Sequence, residues 1–233
     1  MKSLAVLFIL TSHATIPETG QPTGLWLEEF TTPYYAMVDA GYEVDVASVK
    51  GGAVPIDPKS KPESADKAEA SVARYLKDEK AQQKIAASKP LESVDGKRYA
   101  AIILPGGHGT MFDLPESAKL ASLVSETLAD NRIVAAICHG PAGLVNATFA
   151  DGTPVVRGKR VAAFTNEEEE AVKLTDAMPF LLETRLKELG AKHEEAPNFQ
   201  PFALADGNLI TGQNPASSQK VAELVIAALK EKK

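Results

Sequence analysis

Cysteine is almost absent from this chain, since Cys138 is the only one among 233 residues. A single thiol excludes an internal disulfide framework and a cysteine-rich zinc site, and it fits a reducing compartment. Histidine is scarce as well. The four histidines are scattered and show no His-Glu-x-x-His-like spacing, so the sequence predicts no metal site.

Long apolar runs and basic runs are missing too. No stretch approaches the roughly 18 apolar residues of a membrane-spanning helix. The formal net charge is −6 without a long basic run, which gives little support to a nucleic-acid partner. The apolar run at residues 4–10 leads into Thr11-Ser12-His13 without a small-residue cleavage site, so it predicts a buried first strand rather than a signal peptide.

The chain does have enough apolar character for a large core. Hydrophobic residues make up 44% of the 233 residues, which suits one large domain. We expect a single domain over residues 1–233, with an insertion at about 55–97 where the sequence becomes polar and rich in lysine, glutamate and alanine. The insertion is predicted to contain two short helices, about Ala65–Asp78 and Lys80–Ala87.

Short apolar runs alternate with helical patterns along the rest of the chain, which is typical of a parallel sheet with helices on both faces. Most runs lack polar alternation, as expected of strands that are buried on both sides. The predicted strands are Leu4–Leu10, Glu43–Ser48, Ala100–Leu104, Ile133–Ile137 and Arg160–Phe164, then Phe202–Leu204 and Asn208–Thr211 as a hairpin around Asp206-Gly207. The predicted helices are Leu25–Ala40, Pro115–Ala129, Pro179–Leu189 and Pro215–Lys230. The fold class is therefore an α/β parallel-sheet sandwich.

The cysteine follows the apolar run Ile133–Ile137 and precedes His139 and the pair Gly140-Pro141. An apolar strand, a tight turn and a helix together present a nucleophile at the edge of a parallel sheet. A helix N-terminus also offers free N–H groups and a positive dipole end, which lower the pKa of a nearby thiol. We therefore interpret Cys138 as a nucleophile rather than as a small buried hydrophobe.

The neighbours of this thiol carry two further interpretations. His139 either transfers protons through its imidazole or contributes only its backbone N–H to an oxyanion hole. Residues 105–109 (PGGHG) end another apolar run. The N–H of Gly107 could complete that oxyanion hole, the alternative being an ordinary strand-to-helix turn. His108 is interpreted as a residue of the pocket wall.

Two acidic segments can supply a carboxyl group to the thiol or the histidine. Glu28 and Glu29 lie in the first turn of the first predicted helix, where acids normally complement the helix dipole. One of them could instead face the thiol and be shifted toward its protonated form. Further along, Thr165 or Asn166 can cap a helix that begins with four glutamates, and one of these could orient a histidine as the acid of a triad.

Together these residues resemble the ThiJ/PfpI superfamily, whose fold is a flavodoxin-like and glutamine-amidotransferase-like α/β sandwich. The resemblance runs from the first strand through Ser217. It points to the larger, heat-shock-chaperone-type members that act as glutathione-independent glyoxalases (glyoxalase III). The stretches that carry it are TGLWLEE at 23–29, PGGHG at 105–109, AICHGP at 136–141, FTN with its glutamates at 164–170, and TGQNPAS at 211–217.

The resemblance implies a role for each site residue. Cys138 would be the nucleophile, His139 the proton-transfer partner and Glu29 the acid against the sulfur. The triad acid would be Glu169 by spacing, with the adjacent glutamates Glu168 and Glu170 as the open alternatives.

The implied reaction converts methylglyoxal to lactate through a hemithioacetal on Cys138, an enediol and a thioester, without a cofactor. The N–H groups of Gly107 and His139 would hold the oxygen's charge, and Trp26 and His108 would contact the substrate. The resemblance also implies possible deglycase and holdase activity, a homodimer and a cytoplasmic location.

Two other functions use the same thiol. A stress chaperone or redox sensor would need only oxidation of Cys138 beside Glu29. A cysteine peptidase or amidase would use the same turn geometry with a larger substrate. A His139→Ala variant separates the first from the glyoxalase, since we expect it to lose turnover and to keep its sensitivity to oxidation.

Overall fold

The computed structural model describes residues 5–232, apart from the side chain of Ala65. The nine strands of this part of the chain are β1 Ala5–Leu10, β2 Glu43–Ser48, β3 Lys89–Pro90, β4 Tyr99–Leu104, β5 Ile133–Ile137, β6 Arg160–Val161, β7 Lys192–His193, β8 Ala203–Asp206 and β9 Leu209–Gly212. Seven of them form a sheet in the order β3-β2-β1-β4-β5-β9-β8, in which all neighbouring pairs are parallel except the β8–β9 hairpin. The predicted α/β parallel sheet and its hairpin are confirmed.

Helices pack on both faces of this sheet. They are α1 Leu27–Asp39, α2 Ala70–Tyr75, α3 Glu79–Ala86, α4 Thr110–Asp113, α5 Ala118–Ala129, α6 Asn166–Ala171, α7 Leu182–Glu188 and α8 Ser218–Glu231. Successive side chains of a strand point to opposite faces. Phe8 of β1 accordingly lies in one apolar core with Phe30 of α1 and Val225 of α8, while its neighbour Ile9 lies in the other core with Leu120 of α5.

The predicted fifth core strand, Arg160–Phe164, is wrong. Only Arg160–Val161 is a strand, and it pairs with β7 in a separate two-stranded parallel sheet. The next N–H groups bond elsewhere: Ala162 donates to the side-chain oxygen of Thr211, 2.8 Å away, and Phe164 donates to the carbonyl of Cys138. The segment therefore crosses the end of the main sheet without joining it.

The other strand predictions hold to within two residues at each end. The strands Glu43–Ser48 and Ile133–Ile137 have the predicted bounds. Leu4, the first residue of the first predicted strand, lies outside the described residues. The predicted first residues of the helices are less accurate. Helix α5 begins three residues late, because the Ser117 hydroxyl accepts the N–H of Leu120 and caps the helix there.

The predicted first turn of the third helix is also wrong. Pro179 precedes α7, which begins only at Leu182. Gly41 and Gly190 follow helices α1 and α7 with a left-handed backbone, with φ of +83° and +88°, a conformation that commonly ends helices.

The segment predicted as an insertion contains α2, α3 and the edge strand β3. Val72, Tyr75 and Ile85 of its helices are buried against the core that α1 covers. At the surface Arg74 makes a two-point ion pair with Asp39 of α1, at 2.7 and 2.9 Å. The segment thus adds to one face of the sheet and leaves the carboxyl ends of β1, β4 and β5 open.

The strand order reverses between β1 and β4, since the chain first adds β2 and β3 on one side and then β4 and β5 on the other. In open α/β sheets, sites form at the carboxyl ends of strands near such a reversal. Among the described helices, none combines the length and apolarity needed to cross a bilayer.

Candidate active site

Cys138 occupies a strained turn directly after β5. Its φ is +59°, a left-handed conformation that non-glycine residues rarely adopt. Two hydrogen bonds hold it, because its N–H donates to the carbonyl of Gly212 at 2.8 Å and its carbonyl accepts the N–H of Phe164 at 3.0 Å. A strained residue between a strand and a helical turn is the arrangement of a nucleophile elbow.

Two glycines allow the ends of β4 and β5 to approach closely enough to form this turn. A Cβ on Gly106 would lie 2.6 Å from the backbone nitrogen of His139, and a Cβ on Gly140 would collide with the carbonyl of Leu104. The short helical turn that follows the cysteine, Gly140–Leu144, is packed on β4 for this reason.

A chain of polar contacts runs from the sulfur to Glu169 of α6. The Sγ of Cys138 lies 3.3 Å from Nδ1 of His139, and Nε2 of His139 lies 2.7 Å from Oε2 of Glu169. The other oxygen of Glu169 lies 2.8 Å from Nε2 of His108. His139 and Glu169 are 1% and 3% exposed, so the contacts are shielded from water.

The protonation of this chain follows from its surroundings. Burial would raise the pKa of Glu169, but His139 and His108 outweigh it and hold that pKa well below its usual range. Burial, followed by His108, lowers the pKa of His139, so its imidazole is neutral near pH 7. A neutral imidazole has one N–H. Ionised Glu169 accepts a hydrogen bond from Nε2–H of His139, so the single ring proton lies on Nε2. The lone pair of Nδ1 therefore faces the thiol of Cys138.

Glu29, in the first turn of α1, reaches the same thiol. Its Oε2 accepts the N–H of Gly106 at 2.7 Å, and its carboxyl also interacts with Cys138. The other oxygen, Oε1, makes no hydrogen bond of ordinary geometry among the described residues. Burial raises the pKa of Glu29 to about 8 against the opposing effect of the Gly106 N–H, so this group is mostly a neutral acid at pH 7.

The predicted lowering of the thiol pKa is wrong. Burial raises the pKa of Cys138 well above its ordinary value, and the Glu29 carboxyl raises it further. The backbone N–H of His139 acts in the opposite direction but is outweighed. The helical turn after the cysteine is only five residues long, so its dipole has little effect. The sulfur is a thiol at rest and must transfer its proton as it reacts.

The thiol lies in a small apolar pocket of about 120 Å³. Trp26, Gly107 and His108 line it as the resemblance implied, together with Cys138 and His139. The sequence did not point to four further lining residues, which are Phe164, Val172, Phe199 and Pro215. Phe164 and Pro215 do belong to stretches that carried the resemblance, whereas Val172 and Phe199 had no signal.

The three glutamates considered as the triad acid have separate positions. Glu169 contacts both histidines, Glu170 is exposed, and Glu168 is completely buried. The hydroxyl of Thr165 accepts the N–H of Glu168, whose side chain accepts the N–H of Thr165 in return, which is the capping box expected for this helix.

Among the described residues, two groups of side chains have donor atoms close enough to bind a metal ion. His108, His139 and Glu169 form one, and Glu183, His193 and Glu195 form the other, with donor atoms within 4.8 Å in each. In the first group a metal would have to displace the Nε2 protons that Glu169 binds. In the second, Lys187 already pairs with Glu183. A separate cleft of about 510 Å³ between α1 and α2 is lined by Glu28, the other acid of the first turn of α1, and by none of the residues that the resemblance assigned to the site.

The sequence and the fold of this chain are similar to those of known proteins. The DJ-1/PfpI family profile matches residues 23–228. The glutathione-independent glyoxalase hsp3101 of Schizosaccharomyces pombe is 32% identical over 215 residues, or 89% of this chain and 88% of its own. The crystal structure of glyoxalase III from Candida albicans is 28% identical, with a TM-score of 0.87 over 97% of both chains.

The X-ray structure of the 24 kDa Rapid Encystment Protein of Francisella tularensis is also similar. It is 39% identical, with a TM-score of 0.92 over 97% of this chain and 99% of that one. These matches extend over nearly the whole chain and confirm the predicted superfamily and its α/β sandwich. The chain belongs to the DJ-1/PfpI family.

Proposed function

We propose that this protein is a glutathione-independent glyoxalase that converts a small 2-oxoaldehyde such as methylglyoxal to the 2-hydroxy acid. The observation that carries the proposal is the convergence of the His139–Glu169 pair and the neutral acid Glu29 on Cys138, which lines a small apolar pocket. Relatives that match over most of the chain bear this name. The reaction adds only water overall, so it needs no external oxidant or reductant.

In the first step Nδ1 of His139 accepts the proton of Cys138, and the sulfur forms a bond to the aldehyde carbon. The contact of 3.3 Å between the two atoms supports this transfer. Glu29 gives its proton to the aldehyde oxygen, which makes a hemithioacetal and leaves Glu29 as a carboxylate. Glu169 stabilises the imidazolium that forms, since it accepts from Nε2 at 2.7 Å.

Glu29 then moves a proton between the two carbons of the substrate. As a carboxylate it removes the aldehyde C–H, while the imidazolium of His139 protonates the neighbouring carbonyl oxygen to give an enediol. Glu29 returns its proton to the second carbon, His139 takes the remaining hydroxyl proton, and a thioester results. A pKa of about 8 suits this exchange at neutral pH.

Water hydrolyses the thioester and restores the resting groups. It adds to the thioester carbon while Glu29 accepts one of its protons, and His139 gives the proton it took from the hydroxyl to the departing sulfur. The oxygen that gains charge would be held by the N–H groups of Gly107, which lines the pocket, and of His139.

The alternative functions fit this site less well. Redox-sensing cysteines are exposed and have a lowered pKa, whereas Cys138 is 3% exposed and its pKa is raised. A pocket of about 120 Å³ leaves little room for a peptide. Deglycase and holdase activity, the homodimer and the cytoplasmic location stay predictions. Light scattering of the purified protein would test the dimer.

Methylglyoxal consumption with lactate detection, in the absence of glutathione, tests the proposed function. We expect turnover by the wild type and none by Cys138→Ser, which removes the only thiol of the chain. Glu170→Gln provides a matched control with one altered, exposed side chain near the site. Equal turnover by wild type and Cys138→Ser, or none by freshly reduced wild type, would contradict the proposal.

A further inference from the structure

We infer that Phe199 sets the upper size limit of the carbonyl substrate and that the buried carboxylate of Glu168 holds it in position. The inference rests on the proposed glyoxalase function and adds to it the residue that limits the size of the 2-oxoaldehyde. The three observations behind it are the position of the Phe199 ring, the contacts of its backbone and the small volume of the pocket.

Phe199 forms the solvent side of the pocket. Its ring lines the cavity with Cys138 and Trp26, and its centre lies 6.3 Å from that of Phe164. The residue is nonetheless 46% exposed, one of few large apolar side chains of the described part that face water. A phenyl ring with one side toward the cavity and the other toward solvent is a wall between the two.

The backbone of Phe199 has a conformation that requires support. Its φ is +61°, which is unfavourable for a residue with a bulky side chain. Its N–H donates to Oε1 of Glu168 at 2.7 Å, and this carboxylate is completely buried. Glu168 therefore fixes the backbone from which the ring projects, although it lies 31 residues away in α6.

The same carboxylate binds the residues that follow β9. Gln213 donates its amide to Oε1 of Glu168 at 3.1 Å, and Asn214 donates its amide at 2.8 Å. Gln213 in turn accepts the N–H of Ala196, and Asn214 donates to the carbonyl of Gln200. The segment from 196 to 200 is thus fastened on both sides of Phe199, so the backbone that carries the ring cannot move outward without loss of buried hydrogen bonds.

The resulting pocket is small for its type. Sites for drug-sized ligands have volumes of about 300–1,000 Å³, against about 120 Å³ here. A fixed phenyl wall therefore admits a methyl substituent and rejects an aromatic one.

The test compares kcat/KM for methylglyoxal and phenylglyoxal in three variants. We expect Phe199→Ala to raise the ratio of phenylglyoxal to methylglyoxal kcat/KM about tenfold, as for other size-selective apolar pockets. Phe199→Trp should lower it. Leu76→Ala is the matched control, because Leu76 is 44% exposed and does not line the pocket. An unchanged ratio in both Phe199 variants, with methylglyoxal turnover retained, would overturn the inference and leave the glyoxalase function intact.

The role of Glu168 is tested by the ratio of kcat/KM for the two aldehydes, because a general loss of folded structure would not change that ratio. Glu168→Gln keeps the side-chain size but loses one acceptor oxygen, so we expect a rise in the phenylglyoxal ratio smaller than that of Phe199→Ala. In the Phe199→Ala background the same change should leave the ratio constant, since the wall is already absent. A Glu168→Gln effect that only lowers kcat for both aldehydes equally would contradict the positioning role.

A second measurement does not depend on turnover. Cys138 is the only thiol, so alkylation by iodoacetamide or the bulkier iodoacetanilide, in which the thiolate displaces iodide, reports access to the pocket alone. Phe199→Ala should raise the rate with iodoacetanilide relative to iodoacetamide about tenfold. An unchanged relative rate would overturn the inference even if the wild type proved inactive toward both aldehydes.

Discussion

The two walls of the pocket are built in different ways. The inner wall, Gly107, His108, Cys138 and His139, comes from the ends of β4 and β5 and consists of hydrogen-bonded groups. The outer wall, Phe164, Val172, Phe199 and Pro215, comes from connecting segments and is apolar. The residues that react with the substrate thus lie at the ends of the strands of the rigid sheet. The residues that limit which substrates fit lie in loops that are held by side-chain hydrogen bonds.

Removal of the acid behind the inner wall should have the largest effect. In Glu169→Gln the amide has one acceptor and one donor end, so it cannot accept from both histidines. The tautomer with a free Nδ1 on His139 is then lost. We expect kcat for methylglyoxal to fall about 1,000-fold, while Glu170→Gln stays within about twofold. Initial rates at saturating substrate measure this, and near-normal rates in Glu169→Gln would remove Glu169 from the mechanism.

Removal of the anchor of the outer wall should affect stability next. Glu168→Ala leaves the N–H groups of Thr165 and Phe199 and two side-chain amides without their acceptor. Unpaired buried donors cost about 1–3 kcal/mol each, so we expect the free energy of unfolding to fall by about 3 kcal/mol or more. Urea unfolding followed by the fluorescence of Trp26 measures it. The exposed neighbour Glu167 gives the control, since Glu167→Ala should change stability by less than about 0.5 kcal/mol. Equal free energies of unfolding for the two variants would mean that the hydrogen bonds of Glu168 do not stabilise the fold.

The neutral acid Glu29 should produce the smallest effect, visible as a pH dependence. Its pKa is raised from 4.5 to about 8, so the folded state holds a proton that the unfolded state has released. Stability therefore falls as pH rises between these values, by about 1 kcal/mol from pH 7 to pH 8. Glu29→Gln has no proton to lose and should show a correspondingly flatter dependence, with the exposed Glu170→Gln as the control. Parallel curves for wild type and Glu29→Gln, from urea unfolding at both pH values, would show that Glu29 does not stay protonated in the fold.

The inner wall was predictable because its signals are local. Strands buried on both faces appear as uninterrupted apolar runs, so Ile133–Ile137 was placed correctly, and the glycines and the cysteine follow directly. Arg160–Phe164 has the same apolar character, yet its N–H groups bond to Thr211 and Cys138 instead of a neighbouring strand. These acceptors lie far away in the sequence, so the apolar pattern of residues 160–164 does not reveal them.

The outer wall and the electrostatics could not be predicted for a related reason. Phe199 lies in an irregular segment whose position depends on a carboxylate 31 residues away. The thiol pKa depends on complete burial and on Glu29 from a distant helix, whereas the sequence showed only the adjacent helical turn. Both features come from contacts between elements, and periodicity and motif spacing describe single elements.

The charge of the pocket has a consequence for how product leaves. No lysine or arginine is among the described residues that line it, and Glu169 behind it is ionised. A 2-oxoaldehyde enters without charge, but the hydroxy acid loses a proton to water and becomes an anion, which apolar walls and a nearby carboxylate both disfavour. The proposed reaction thus converts a ligand that the cavity accepts into one that it disfavours, so we expect product release to follow hydrolysis readily and product inhibition to be weak.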